Sequence, residues 1–146
     1  MAIRGIPFHH TRKIFIQSPI PFAPMIYLSW RNVMNEHTYR DIVFHIVFST
    51  KNREDVITPT LMKGLRAVLA DKAGNLGLIV HIANGRGDHV HLQVSAPPKW
   101  SVSEIVKNLK GYSSYKIPGL YWQRGYGVFT VDRSSFDKVF NYIKHQ

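Results

Sequence analysis

The chain has 146 residues, 45% of them hydrophobic, with 19 Lys and Arg against 9 Asp and Glu, a formal net charge of +10 and no cysteine. This length suits one domain with an apolar core, and the lack of cysteine excludes a disulfide scaffold, thiolate zinc or iron–sulfur sites and a cysteine nucleophile. The basic surplus points to a polyanionic partner, nucleic acid or an acidic membrane surface, and carries no information about fold.

Residues 1–33 contain Arg4, Arg12, Lys13 and Arg31 and no acid, so the rest of the chain keeps 15 basic against 9 acidic side chains. Pro7, Pro19, Pro21 and Pro24 break any helix or central strand there. The apolar residues 14–30 follow Arg12 and Lys13 in the outline of a secretory signal. Three prolines inside that run and the lack of a small-residue cleavage pattern oppose that reading, and the run is too broken for a membrane span. The expectation is a poorly structured extension over residues 1–33 and a compact domain over 34–146, starting near Met34.

Residues 41–48 form a nearly continuous β-branched and aromatic run, suited to a strand buried on both faces. A charged loop over 51–55 follows. Thr58 and Pro59 then cap and open a helix whose apolar stripe is Leu61, Met62, Leu65, Val68 and Leu69, with Gly74 at its end. Residues 76–83 and 89–96 read as two strands around a glycine-rich turn over 84–88. Ser101 or Ser103 caps a second helix, running through Tyr115, on an apolar side of Val102, Ile105, Val106 and Leu109. A fourth strand spans 125–131, and Asp132 or Ser134 caps a last helix reaching Gln146. This order, β-α-β-β-α-β-α, predicts an α+β fold: a ferredoxin-like or RRM-like sandwich with a four-stranded antiparallel sheet, two helices on one face and an additional C-terminal helix.

Within the third predicted strand, alternation places His89 and His91 on one face, with Val90, Leu92 and Val94 on the other, against the helices. Two imidazoles on the helix-free face can serve as metal ligands; two histidines on a strand can equally be ordinary polar surface. Asp88 precedes His89 and is expected to point away from them. In the last helix, Phe136, Val139, Phe140 and Ile143 form the buried stripe, and Tyr142 and Gln146 stand four residues apart beside it. Laid on the open face, that helix would carry Tyr142 and Gln146 to the histidines. Tyr142 would then offer a nucleophilic oxygen and Gln146 a carbonyl ligand, with Lys138 one turn back to assist ionisation.

These pieces carry a resemblance. Phe44-His45-Ile46-Val47-Phe48 with Lys51 and Arg53 comes first, then Asp88-His89-Val90-His91-Leu92. Ile105, Lys110-Gly111, Ser113-Ser114, Trp122, Gly125 and Tyr126 follow, and Tyr142-Ile143-Lys144-His145-Gln146 closes the series. In this order they resemble the HUH-superfamily single-tyrosine transposases of small insertion sequences. The resemblance implies cleavage and rejoining of single-stranded DNA at hairpins near element ends. Divalent metal, Mg²⁺ or Mn²⁺, would sit on His89, His91 and Gln146, and Tyr142 would form a 5′-phosphotyrosine link. It further implies a homodimer, a cytoplasmic location and no membrane partner. Lys51, Arg53, Lys107, Lys110, Lys116 and Arg124 would meet DNA phosphates, with Tyr112 and Tyr115 available to stack on bases. Members usually continue beyond the glutamine, whereas this chain stops at Gln146, so an inactive remnant is the alternative expectation. Two rivals stand beside it. One is an RRM-like module that binds single-stranded nucleic acid without chemistry. The other is a histidine-triad-related nucleotidyl transferase, which the strand His89-Val90-His91-Leu92-Gln93 also resembles and which needs no tyrosine on a later helix.

Overall fold

The computed structural model describes residues 42–146; the expected extension over 1–33 and the proposed start at Met34 lie outside the described residues. The elements are β1 (Val43–Ser49), a short 3-10 turn (Lys51–Arg53), α1 (Pro59–Asn75), β2 (Ile79–Arg86), β3 (His89–Ser95), α2 (Val102–Lys116), β4 (Gly127–Thr130) and α3 (Phe136–Lys144). The strands form one antiparallel sheet in the order β2-β3-β1-β4. This is the order in which two split β-α-β units interleave, and it agrees with the α+β sandwich expected.

Each element forms for a local reason. The Thr58 hydroxyl accepts from the Leu61 amide at 3.2 Å and Pro59 opens α1. Ser101 and Glu104 close a reciprocal capping box on α2. Met62, Leu65 and Leu69 of α1 and Ile105, Val106 and Leu109 of α2 bury against Ile46, Phe48, Val90, Leu92 and Val94 of the sheet. A core of this kind holds a small domain, since each fully buried aliphatic side chain contributes about 1.5–3 kcal/mol.

Four elements, α1, β2, β4 and α3, have bounds that differ from the sequence expectation by more than a residue or in the residue that ends them. α1 runs past Gly74 to Asn75, and the left-handed residue after it is Gly77, with φ 70°. β2 begins later and continues through Asn84 to Arg86, so the expected five-residue turn shrinks to Gly87 and Asp88, with Gly87 at φ 71°. A two-residue hairpin with glycine first matches the natural twist of the strands. β4 is confined to four residues, and α3 starts at Phe136 after Asp132 has accepted from the Ser135 amide at 2.8 Å. β1 is not uniformly buried. Ile46 and Phe48 face the helices, while His45, Val47 and Ser49 face the other side and are only partly covered.

One glycine in the hairpin has no room for a side chain. A Cβ on Gly85 would stand 2.3 Å from the His89 carbonyl oxygen and 2.7 Å from the Val90 Cα, both backbone atoms. Gly85→Ala is therefore expected to destabilise the fold by about 2–3 kcal/mol, the scale of overpacking that backbone shifts must relieve. A urea midpoint equal to that of the parent would contradict this.

Candidate nucleic-acid processing site

The open face of the sheet is where polar side chains gather. β1 and β3 pair so that His45, Val47 and Ser49 lie opposite Gln93, His91 and His89. Cross-strand partners project to the same side, so this face presents three imidazoles and an amide. α3 covers part of it. Phe136 sets its ring edge-on to His81 of β2 at 4.9 Å, the Gln93 amide donates to the Phe136 carbonyl at 3.2 Å, and Ile143 is fully buried. At the other end, the Asn84 side-chain amide donates to the carbonyls of Ile143 and Lys144 at 3.1 Å and of Gln146 at 3.3 Å. Carbonyls at a helix C-terminus lack the full set of intrahelical donors, and this amide supplies one. Arg66 holds Asn84 in turn, through its side-chain oxygen at 2.6 Å. Asn84, which reads as a turn residue, is thus the residue that ties the end of α3 to β2.

The docked helix carries Tyr142 to the histidines. Its ring stands edge-on to His91 at 5.7 Å and to His45 at 6.1 Å, while 53% of the residue remains exposed. The Tyr142 hydroxyl has no hydrogen-bond partner among the described residues. Lys138 is exposed on the same helix. His91 is only 6% exposed and contacts His45 through its Nδ1, 3.0 Å from the His45 Nε2. Its Nε2 is buried and has no hydrogen-bond partner among the described residues. His89 stands next to it, ring centroids 5.1 Å apart, and its Nδ1 lies 2.8 Å from the Asp88 carboxylate.

Asp88 corrects the sequence expectation. Its backbone carbonyl accepts from the Thr50 amide at 2.7 Å, which fixes the turn, and its carboxylate folds back to His89 on one oxygen and to Arg53, at 3.1 Å, on the other. The His89 hydrogen bond, followed by that of Arg53, holds the Asp88 carboxyl below its usual pKa. A carboxylate can only accept, so the His89 Nδ1 carries a proton, and in the neutral tautomer that this favours the lone pair is on Nε2.

The last helix, expected to reach Gln146, ends at Lys144, so Gln146 lies two residues past α3, exposed, with its side-chain amide donating to the Tyr142 carbonyl at 3.4 Å. No hydrogen bond joins it to either histidine among the described residues, and no group of three His, Cys, Asp or Glu there is arranged to hold a metal. A set of two histidines and a glutamine falls outside that grouping. The expected cations divide. Lys51, Lys107, Lys116 and Arg124 are exposed, and Lys116 lies 5.4 Å from the Tyr112 ring and 5.8 Å from that of Tyr115. Arg53 is engaged with Asp88. Lys110 donates to the Gln123 carbonyl at 2.8 Å and the Gly125 carbonyl at 2.5 Å and lies over the Phe48 ring, and burial lowers its pKa. Ser113 and Trp122 are likewise scaffold: the Trp122 indole donates to the buried Ser113 hydroxyl at 2.9 Å and meets Phe48 edge-on.

Burial lowers the pKa of His45 and His81, and burial followed by the charges of His45 and His89 lowers that of His91 to about 4. Unfolded imidazoles take up protons near pH 6.5, while the folded ones resist. Stability is therefore full above about pH 6.5 and falls as the pH drops from there toward 4. Urea midpoints measured in EDTA at pH 7 and pH 5 should fall in that order; equal midpoints would contradict the burial of neutral imidazoles.

The geometry of a tyrosine helix docked on a two-histidine strand meets an independent finding. A family model described as IS200-like transposase matches residues 38–146. The chain belongs to the IS200-like transposase family. The ISDra2 transposase TnpA of Deinococcus radiodurans is 30% identical to it over 115 residues, covering 70% of this chain and 82% of that protein. The transposase for insertion sequence element IS200 of Salmonella typhimurium is 30% identical over 122 residues, 75% of this chain and 80% of its own length. Among solved structures, a chain from Deinococcus radiodurans R1 designated a transposase superposes with a TM-score of 0.60 at 27% identity, covering 77% of this chain and 96% of its own. The REP-associated tyrosine transposase bound to a REP hairpin gives a TM-score of 0.54 at 15% identity over 74% of this chain and 70% of its own, a likeness of fold. As an IS200-like transposase the protein is a DNA strand-transfer enzyme by family. No helix among its described residues is long and apolar enough to cross a membrane.

Proposed function

We propose that this IS200-like transposase cuts and rejoins single-stranded DNA through a covalent link on Tyr142, assisted by a divalent cation on His89 and His91. The observation that carries the reading is the approach of the exposed Tyr142 ring to His91, whose buried Nε2 has no partner among the described residues. A buried imidazole nitrogen left unpaired is costly unless something binds it. Together with the lone pair on the His89 Nε2, it gives two nitrogen donors on one face, next to a phenol. Gln146, one turn beyond Tyr142, would add a carbonyl oxygen. Two imidazoles and an oxygen with open positions suit Mg²⁺ or Mn²⁺. Bound there, the cation would polarise a scissile phosphate and hold its oxygens.

The remaining steps belong to the chain's own residues. The Tyr142 oxygen attacks phosphorus and the bond from phosphorus to the 3′ oxygen breaks. The downstream strand is then joined to the protein through its 5′ phosphate, and the upstream strand ends in a free 3′-OH. The phenol gives its proton to water and the departing 3′ oxygen takes one up. In the joining step a 3′-OH attacks the phosphotyrosine and restores Tyr142. Bond energy is kept in the phosphodiester, so no nucleotide cofactor is required. The substrate is a hairpin-bearing single strand, in keeping with the REP hairpin held by the solved protein of the same fold. Lys51, Arg53, Lys107, Lys116 and Arg124 neutralise its phosphates, and Lys110 contributes chiefly by holding the loop before β4. Two nucleophiles are needed for two exchanges, so the working unit is a symmetric homodimer.

The test is cleavage of a single-stranded hairpin oligonucleotide carrying an element end, with Mg²⁺, with Mn²⁺ and with EDTA. Cuts with either cation and none with EDTA are expected; binding without cleavage under every condition would favour the inactive, binding-only alternative.

A further inference from the structure

The hydrogen bond from His91 to β1 leaves a choice that decides what His91 can do. If the His45 Nε2 donates to the His91 Nδ1, then His91 carries its own proton on Nε2. That proton would be buried and unpaired, and no lone pair would be available there. If instead the His91 Nδ1–H donates and the His45 Nε2 accepts, the His91 Nε2 keeps its lone pair beside Tyr142. Only the second arrangement lets that nitrogen take a cation.

We infer that His45 is a positioning residue for His91: its Nε2 accepts the His91 Nδ1–H at 3.0 Å and so fixes both the tautomer and the ring orientation that present the His91 Nε2 as a ligand. The two rings also stack, with centroids 5.2 Å apart and planes 26° from parallel, which limits rotation of His91 about its χ2. His45 is itself held. It lies opposite Gln93 in the β1–β3 register, between the Phe129 ring at 5.8 Å and the Tyr142 ring at 6.1 Å. The arrangement parallels the one on His89, where Asp88 is the acceptor on Nδ1. Each candidate ligand thus has an acceptor on the nitrogen turned away from the site, a carboxylate for one and a neutral imidazole for the other. Removing such outer partners typically weakens metal affinity by about 10–100-fold.

This inference rests on the reading of His89 and His91 as cation ligands, and the experiment separates the two. Long-range proton–nitrogen NMR spectra of the metal-free full chain at pH 7 distinguish protonated from unprotonated imidazole nitrogens. His91 should show an unprotonated Nε2 and a protonated Nδ1, and His45→Ala should blur that into a mixture. Mn²⁺ titration followed by electron paramagnetic resonance should show affinity reduced about 10–100-fold in His45→Ala. It should be largely restored in His45→Gln, whose side-chain oxygen reaches a position like that of Nε2. A protonated His91 Nε2 in the wild type overturns the inference whatever the metal results, and so does wild-type Mn²⁺ affinity in His45→Ala. If the wild type binds no Mn²⁺, the cation reading fails, and the tautomer spectrum still decides the role of His45. If His45→Ala does not fold, the wild-type spectrum and His45→Gln carry the test.

Discussion

Tyr142→Phe is expected to abolish strand cleavage and joining, a loss of several orders of magnitude, while leaving fold and hairpin binding unchanged. Phenylalanine keeps the ring that lies edge-on to His45 and His91 and removes only the oxygen. That oxygen has no hydrogen-bond partner to lose among the described residues, so the cost in stability is close to zero. The separation of the two effects is what makes the variant informative. Cleavage rates from single-turnover reactions, with melting temperature and oligonucleotide affinity measured on the same preparation, check it. Cleavage at the parent rate would mean that another group attacks phosphorus.

His91→Ala and His89→Ala should each lose metal-assisted cleavage by at least about a hundredfold and keep most of their affinity for hairpin DNA. On the proposed mechanism the two donors would act on the reacting phosphate, whereas affinity would come from many phosphate contacts spread over exposed lysines and arginines. Their structural roles differ. His91 is buried against His45 and Tyr142, so its loss also loosens the seat of the tyrosine helix. The His89 side chain is 37% exposed, and its one side-chain hydrogen bond among the described residues is to Asp88. A melting curve should therefore move more for His91→Ala than for His89→Ala. Retained cleavage in either variant would remove that histidine from the site.

Strict periodicity made part of this site legible. The alternation of β3 puts His89 and His91 on one face whatever the tertiary context, and the stripe of the last helix places Tyr142 beside them; the spacing to Gln146 does not carry over, because the helix stops at Lys144. The hydrophobic stripe through Ile143 told that this helix must cover something, and the open sheet face was the surface left. What was not legible depends on register between distant segments. His45 was hidden in a run that read as a doubly buried strand, and its bond to His91 joins residues 46 apart. Asn84-Gly85 has the composition of a turn, yet β2 extends through it because Gly85 permits close approach to β3 and Asn84 caps a helix some 60 residues later. Asp88 was expected to face away because strand alternation was applied to it. It belongs to the turn, where its carboxylate is free to fold back onto His89. The resemblance and the basic surplus place Lys110 among the phosphate contacts, and its hydrogen bonds to two loop carbonyls depend on the path of residues 121–126, which the sequence does not show.

On the proposed mechanism Tyr142 becomes covalently joined to a 5′ phosphate. The most direct measurement takes two copies of one hairpin oligonucleotide, labelled at the 3′ end in one and at the 5′ end in the other. Each is incubated with the full chain and Mn²⁺, denatured, and analysed for protein-bound label by gel and peptide mapping. An adduct is expected with the 3′-labelled strand only, stable to acid and mapped to Tyr142, since the 5′-labelled fragment leaves with its free 3′-OH. An acid-labile adduct on His91, an adduct carrying the 5′ label, or no adduct from a protein that binds the hairpin tightly would contradict it.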